Sequence, residues 1–248
     1  MTARVRSELL KVRSTRMWIG LFAGAGAFVL LNLAAQVFTP STQGFPGIAS
    51  EQGVRNVWSS AGTGSLFALV LGILAMTTEF RFKTLSATFL VTPRRSQVII
   101  AKMLALAGVG AILSATCVVI TILGAVPLLA LKNAPSIPIS TIGAILLGAV
   151  VATALYAVIG VAIGALVRNQ IAALIGALIW VLLVEALVVA FLPDVGKWLP
   201  GGAANSMLQA SATGDTLLNP WLGALVFCGY AVAIAAIAMR TTLRRDIT

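Results

Sequence analysis

Apolar residues run along this chain in long charge-free blocks separated by short basic segments. A membrane-spanning helix needs about 20 predominantly apolar residues. Charge-free stretches cover 17–38, 56–78, 103–131, 133–167 and 216–239, and a sixth, 169–193, is interrupted only by Glu185. The 133–167 stretch exceeds one crossing. Pro135 and Pro138 disfavour helix at its start, so that span is predicted from Ser140. The third span is predicted to end near Pro127. The pattern predicts an all-α, polytopic membrane protein, a single domain of six transmembrane helices at 17–38, 57–78, 103–126, 140–167, 170–192 and 219–239.

Three intervening segments are more than simple connections. Residues 2–16 place Val5, Leu9 and Val12 at i, i+4 and i+7, with Arg4, Arg6, Lys11, Arg13 and Arg16 around the rest of the wheel. That predicts a short basic helix in the headgroup layer. Residues 79–92 carry Phe82, Leu85 and Phe89 at helical spacing and stop before Pro93. Thr78 is placed to cap that helix, Glu79 to sit at the positive end of its dipole, and Ser96 to cap the next. A short amphipathic helix is therefore predicted between spans two and three. The loop 193–218 is long enough to hold structure of its own, and 203–212 is predicted as a short helix within it.

Composition agrees: 59% of residues are hydrophobic and 10% charged, against about 25% charged in an average soluble domain. The net charge of +10 points to nucleic acid or to lipid, and placement decides between them. Fourteen of the seventeen Lys and Arg fall before span one, between two and three, between four and five, or after six. Arg55, Lys132 and Lys197 fall in the alternate connections. The positive-inside bias puts both termini in the cytoplasm, so the basic excess reads as topology and no nucleic-acid partner is expected. The first block is longer than the roughly 7–15-residue apolar core of a signal peptide and is read as a retained anchor.

Candidate chemistry is sparse. The chain has no His, and its two cysteines, Cys117 and Cys228, fall in different spans. Neither a His-assisted nucleophile nor a metal centre is expected, and the chain is not read as an enzyme. No G-x-x-x-x-G-K-[ST] occurs, so no ATP phosphates are cradled here by a P-loop. Glu185 is the only charge well inside a span. The fourteen Ile, Leu, Val and Phe between Ile171 and Leu192, at about 0.3–0.6 kcal/mol each, outweigh a carboxylate penalty of about 2.5–3.5 kcal/mol. An intramembrane acid is by default a functional-site candidate. Glu185 is expected to line the substrate path, or to be protonated and bonded to a neighbour. Asn32 and Gln36, one turn apart on span one, are candidates for the same path or for an interhelical hydrogen bond. Gly20-x-x-x-Gly24 and Gly160-x-x-x-Gly164 permit close helix approach.

Glu79, Arg81 and Thr84, in the spacing Glu-x-Arg-x-x-Thr and followed by Pro93, an Arg pair and Lys102, resemble the cytoplasmic loop of ABC-2 type permeases. Those are the six-helix membrane subunits of bacterial ABC exporters. Ser7-Glu8-Leu-Leu-Lys11, the Arg168-Asn169 turn and Trp198-Leu-Pro200 are similar to other parts of that layout. Lys83 departs from it, standing where the family often has Gly. The resemblance implies that 79–92 is a coupling helix. Glu79, Arg81 and Thr84 would engage a separate P-loop ATP-binding subunit, with Phe82, Leu85 and Phe89 holding the helix on the membrane domain. It further implies two ATP-binding subunits, a second permease subunit (identical or related), half-inserted helices in the outer loop, and residence in the bacterial cytoplasmic membrane. ATP and Mg would belong to the partner, with no cofactor in this chain. Two other readings stay open: a proton-coupled secondary transporter using Glu185, and a non-transporting immunity or sensor subunit.

Overall fold

The computed structural model describes residues 2–39, 46–82, 95–211 and 217–244. Among them all regular structure is helical, and six stretches are long and apolar enough to cross a membrane. Helix α1 (Thr2–Ser14) is the basic N-terminal helix, and α2 (Met17–Phe38) is the first span. The second span is compound: α3 (Glu51–Ser59) passes through a tight turn, Ser60–Thr63, into α4 (Gly64–Arg81). Helices α5 (Arg95–Leu131) and α6 (Ile139–Val167) follow. The fifth span is α7 (Gln170–Ile179), a π turn at Trp180–Val184, and α8 (Glu185–Phe191). Two short helices, α9 (Pro193–Gly196) and α10 (Pro200–Met207), occupy the loop before the last span, α11 (Pro220–Arg244).

The bundle is built around α4 and α6. Hydrocarbon tails are as apolar as leucine, so helices associate there by close packing rather than by escape from water. Small residues make that packing possible. A Cβ on Gly72 would lie 2.3 Å from the Ala157 carbonyl oxygen, and one on Gly160 would lie 2.2 Å from that of Leu69. The Gly160-x-x-x-Gly164 pair therefore serves a seam within the chain, where Gly164 meets Met76. Around this seam Leu71, Ile73, Met76, Ile145 and Val161 are fully buried. Gly24 abuts Phe67, whereas Gly20 has open space beside it.

Several boundaries differ from the sequence expectation. Span two begins at Glu51 rather than 57, because Ser50 caps α3 by accepting from the Gly53 N–H at 3.0 Å. Helix α4 continues to Arg81, so Thr78 does not cap a new helix; its carbonyl accepts from the Phe82 N–H at 3.0 Å. Helix α5 includes Ser96 in its body and runs through Pro127 to Leu131. A membrane helix tolerates the lost N–H of a proline because neighbours and local adjustment re-satisfy the backbone. The true stop is Asn133, whose left-handed φ of 49° closes the helix. There the Ala134 N–H reaches the Leu129 carbonyl and the Asn133 N–H that of Ala130. In the outer loop the short helix lies at Pro200–Met207 rather than 203–212. Pro200 presets its first turn, and Gln209, at φ 53°, ends it by the same bonding pattern. Of the 79–92 segment, residues 83–92 lie outside the described residues.

Candidate functional site

The two ends of the bundle carry different polar chemistry. At the end where α1 docks, four charged side chains converge from three segments. Lys11 Nζ lies 2.6 Å from Glu8 Oε1 and 2.9 Å from Glu79 Oε1. Lys102 Nζ lies 2.5 Å from Glu8 Oε2 and 2.9 Å from Glu79 Oε1. Lys102 is only 3% exposed, and Glu8 and Glu79 are buried with it. Buried ions require paired partners, and here two carboxylates face two ammonium groups. Burial works to raise the Glu8 carboxyl, but the Lys102 charge and the hydrogen bonds from Lys102 and Lys11 hold it below its ordinary value. Burial likewise opposes the Lys11 charge, and the bonds to Glu8 and Glu79 overcome it and raise that ammonium.

This cluster corrects the expected face of α1. The stripe turned to the bundle is Val5, Glu8 and Val12, while Leu9 and Leu10 point outward. A glutamate belongs in the buried stripe because Lys102 waits beneath it. Arg4 donates to Gln97 Oε1, adding a second tie to α5. At the same end the Arg168 guanidinium, on the left-handed turn between α6 and α7, stands 5.4 Å over the Phe80 ring. Asn169 caps α7 by accepting from the Ile171 and Ala172 N–H groups at 3.0 and 3.1 Å.

At the opposite end, a cleft of about 700 Å³ opens among α2, the Ser60–Thr63 turn, the fifth span and α10. Asn32, Gln36 and Glu185 all line it. Asn32 Oδ1 accepts from Ser60 Oγ at 2.8 Å, and Ser65, also in the lining, bonds Thr153 behind it at 3.0 Å. Glu185 is 4% exposed. Its Oε1 accepts from Trp180 Nε1 at 2.8 Å and its Oε2 from the Gly201 N–H at 2.8 Å. Two N–H donors suit a carboxylate, which is acceptor-only when ionised.

Local structure explains both bonds. Residues five apart point to different sides of an α-helix. The π turn, in which the Glu185 N–H bonds the Trp180 carbonyl, brings the two side chains onto one face. The Gly201 N–H belongs to the first turn of α10, where donors have no partner within the helix. A Cβ there would lie 2.0 Å from Glu185 Oε2, so any larger residue has to displace that carboxyl from its bonds. The loop is pinned on its far side as well. Asn56 bonds the Ser211 carbonyl at 2.8 Å and the Ser211 N–H at 3.1 Å, and Gln52 donates to the Gln209 carbonyl at 2.9 Å.

The sequence candidates thus fall in two places. Asn32, Gln36 and Glu185 come together in one cleft. Glu79 is buried in the charge cluster, Arg81 and Phe82 are exposed at the end of α4, and Thr84 and Leu85 lie outside the described residues. Sequence reasoning noted Lys102 only as part of the loop motif and did not single out Tyr156, Trp180, Gly201 or the Asn56 staple. One signal was present: Glu8 is the only acid in the first fifty residues, three positions from Lys11. Compared with known proteins, the chain matches no family model and no curated protein.

Proposed function

We propose that this chain is the membrane subunit of a transporter, with the cleft at Glu185 forming part of the substrate path. The cleft carries the reading: Asn32, Gln36 and Glu185, with Ser60, Thr63, Ser65 and Asn205, face one space inside a largely apolar bundle. In our reading both termini and the 83–94 connection face the cytoplasm of a bacterial cell, as the cation distribution favours. A separate P-loop ATP-binding subunit, in two copies, supplies the energy, and a second permease subunit completes the path. The resemblance of 79–84 to the ABC-2 coupling segment supports this, as does the exposure of Arg81 where that segment begins; Phe82, which the resemblance would set against the membrane domain, is exposed beside it. Glu79, held by Lys11 and Lys102, sets the position of the segment from within.

The test is co-purification of the full chain with a P-loop ATPase, followed by substrate-stimulated ATP hydrolysis. Arg81→Ala is expected to lower stimulation without altering thermal stability, whereas Glu79→Ala lowers both. A second reading, proton-coupled transport, is favoured by one observation, the buried carboxylate in the cleft. Transport that continues without any ATPase, and stops in Glu185→Gln, would establish it in place of the first.

A further inference from the structure

The cleft has a neighbour. An apolar pocket of about 280 Å³, walled by Ile159, Ile163, Trp180 and Ile234, adjoins it. Leu69, Tyr156, Val181 and Glu185 line both spaces. Glu185 therefore stands at the junction of a polar compartment and a greasy one. Among the described residues no Lys or Arg lines either space, so the carboxylate is the sole formal charge there. A carboxylate offers about four acceptor positions. Trp180 and Gly201 use two of them. The remaining lone pairs have no cationic partner in the lining, in contrast to the paired carboxylates at the other end.

We infer that the two spaces together form a binding site for an organic cation carrying an apolar body. The cationic group would sit against Glu185 on the cleft side, with the amide oxygens of Asn32 and Gln36 within the same compartment. The apolar body would fill the pocket beneath Tyr156 and Trp180. Desolvated charge pairing strengthens as the dielectric falls. An anionic ligand of the same shape meets repulsion with no compensating donor charge. This inference rests on reading the cleft as a ligand path, and it requires no ATPase.

The experiment uses the full chain in phosphatidylcholine nanodiscs and two probes of matched size and opposite charge, tetraphenylphosphonium and tetraphenylborate. Equilibrium dialysis, corrected for empty nanodiscs, gives the affinities. Tetraphenylphosphonium is expected to bind saturably and at least tenfold more tightly than tetraphenylborate. Glu185→Gln is expected to weaken the cation at least tenfold. Because that change also touches the Gly201 bond, Gln36→Lys provides an independent check. It places an ammonium in the cleft, leaves the Glu185 contacts intact, and is expected to weaken the cation to a similar degree. Equal affinity for the two probes, absence of saturable cation binding, or undiminished cation binding in Gln36→Lys overturns the inference. Charge-selective binding without ATPase coupling would leave this site standing and remove the proposed energy source. Charge-blind binding with intact coupling would do the reverse.

Discussion

Two groups of buried glutamate stand at opposite ends of this bundle, and the protein neutralises them by different means. Glu8 and Glu79 are matched by Lys11 and Lys102, full charges at 2.5–2.9 Å. Glu185 is held only by the dipoles of an indole N–H and a backbone N–H. A closed set of ion pairs fixes geometry, and its cost of desolvation is recovered only while every member is present. Dipoles bring no opposite charge, and the acceptor positions they do not use stay open to something else. The difference separates an end that holds segments together from an end suited to receive a ligand.

The sharpest way to break the contrast is Lys102→Met. It leaves two carboxylates with one ammonium, and should cost about 3 kcal/mol or more in reversible unfolding in detergent. Adding Glu8→Gln should recover part of that loss. If Lys102→Met alone is harmless, the two ends are not different in kind. Next in size, Gly201→Ala drives a methyl into Glu185 Oε2 and should cost roughly 2 kcal/mol, mostly as lost bonding of α10. Limited proteolysis of the 193–219 loop would register it, while hydrogen exchange in α1 should stay unchanged. Asn56→Ala removes a two-bond staple on the far side of the same loop, for about 1–2 kcal/mol, read by the same proteolysis.

Acidity probes the paired end more gently. Glu8, depressed in the folded state, contributes fully above its unfolded value near 4.5, and that contribution is lost as pH falls through its lower folded value. Lys11, raised when folded, contributes fully below 10.5 and is lost only as pH rises through its higher folded value. Hydrogen exchange in α1, corrected for intrinsic rates, should therefore stay flat between those limits and rise outside them. The smallest effect expected is from Asp194→Asn. Lys197 lowers the Asp194 carboxyl through a 2.8 Å bond at the surface, and breaking so exposed a pair should leave the melting temperature unchanged within error.

Hydropathy made the spans legible, because apolar length is a local property of the chain. It misjudged their ends for equally local reasons. Gln52, Arg55 and Asn56 look like loop until their partners in the outer loop, more than 150 positions away, are seen. Pro127 looks like a stop when read by the rules of water-exposed helices. The cleft was partly legible: polar residues in apolar spans stand out, and all three candidates line it. Their partners were not, since a π turn and a glycine N–H leave no mark in hydropathy. The Glu8–Lys102 pair spans 94 positions, and no periodicity reports so distant a contact.

The four-charge cluster also imposes an order on biogenesis. Glu8 precedes the first span, Glu79 ends the second, and Lys102 lies near the start of the third. As the chain leaves the ribosome from its N-terminus, the clasp is incomplete until residue 102 has been synthesised. Until then α1 has no Lys102 to dock on, and Glu79 must meet the translocon with Lys11 as its one counter-ion from this set. Closure of the clasp thus ties α1 to the second and third spans only after the third has begun to emerge.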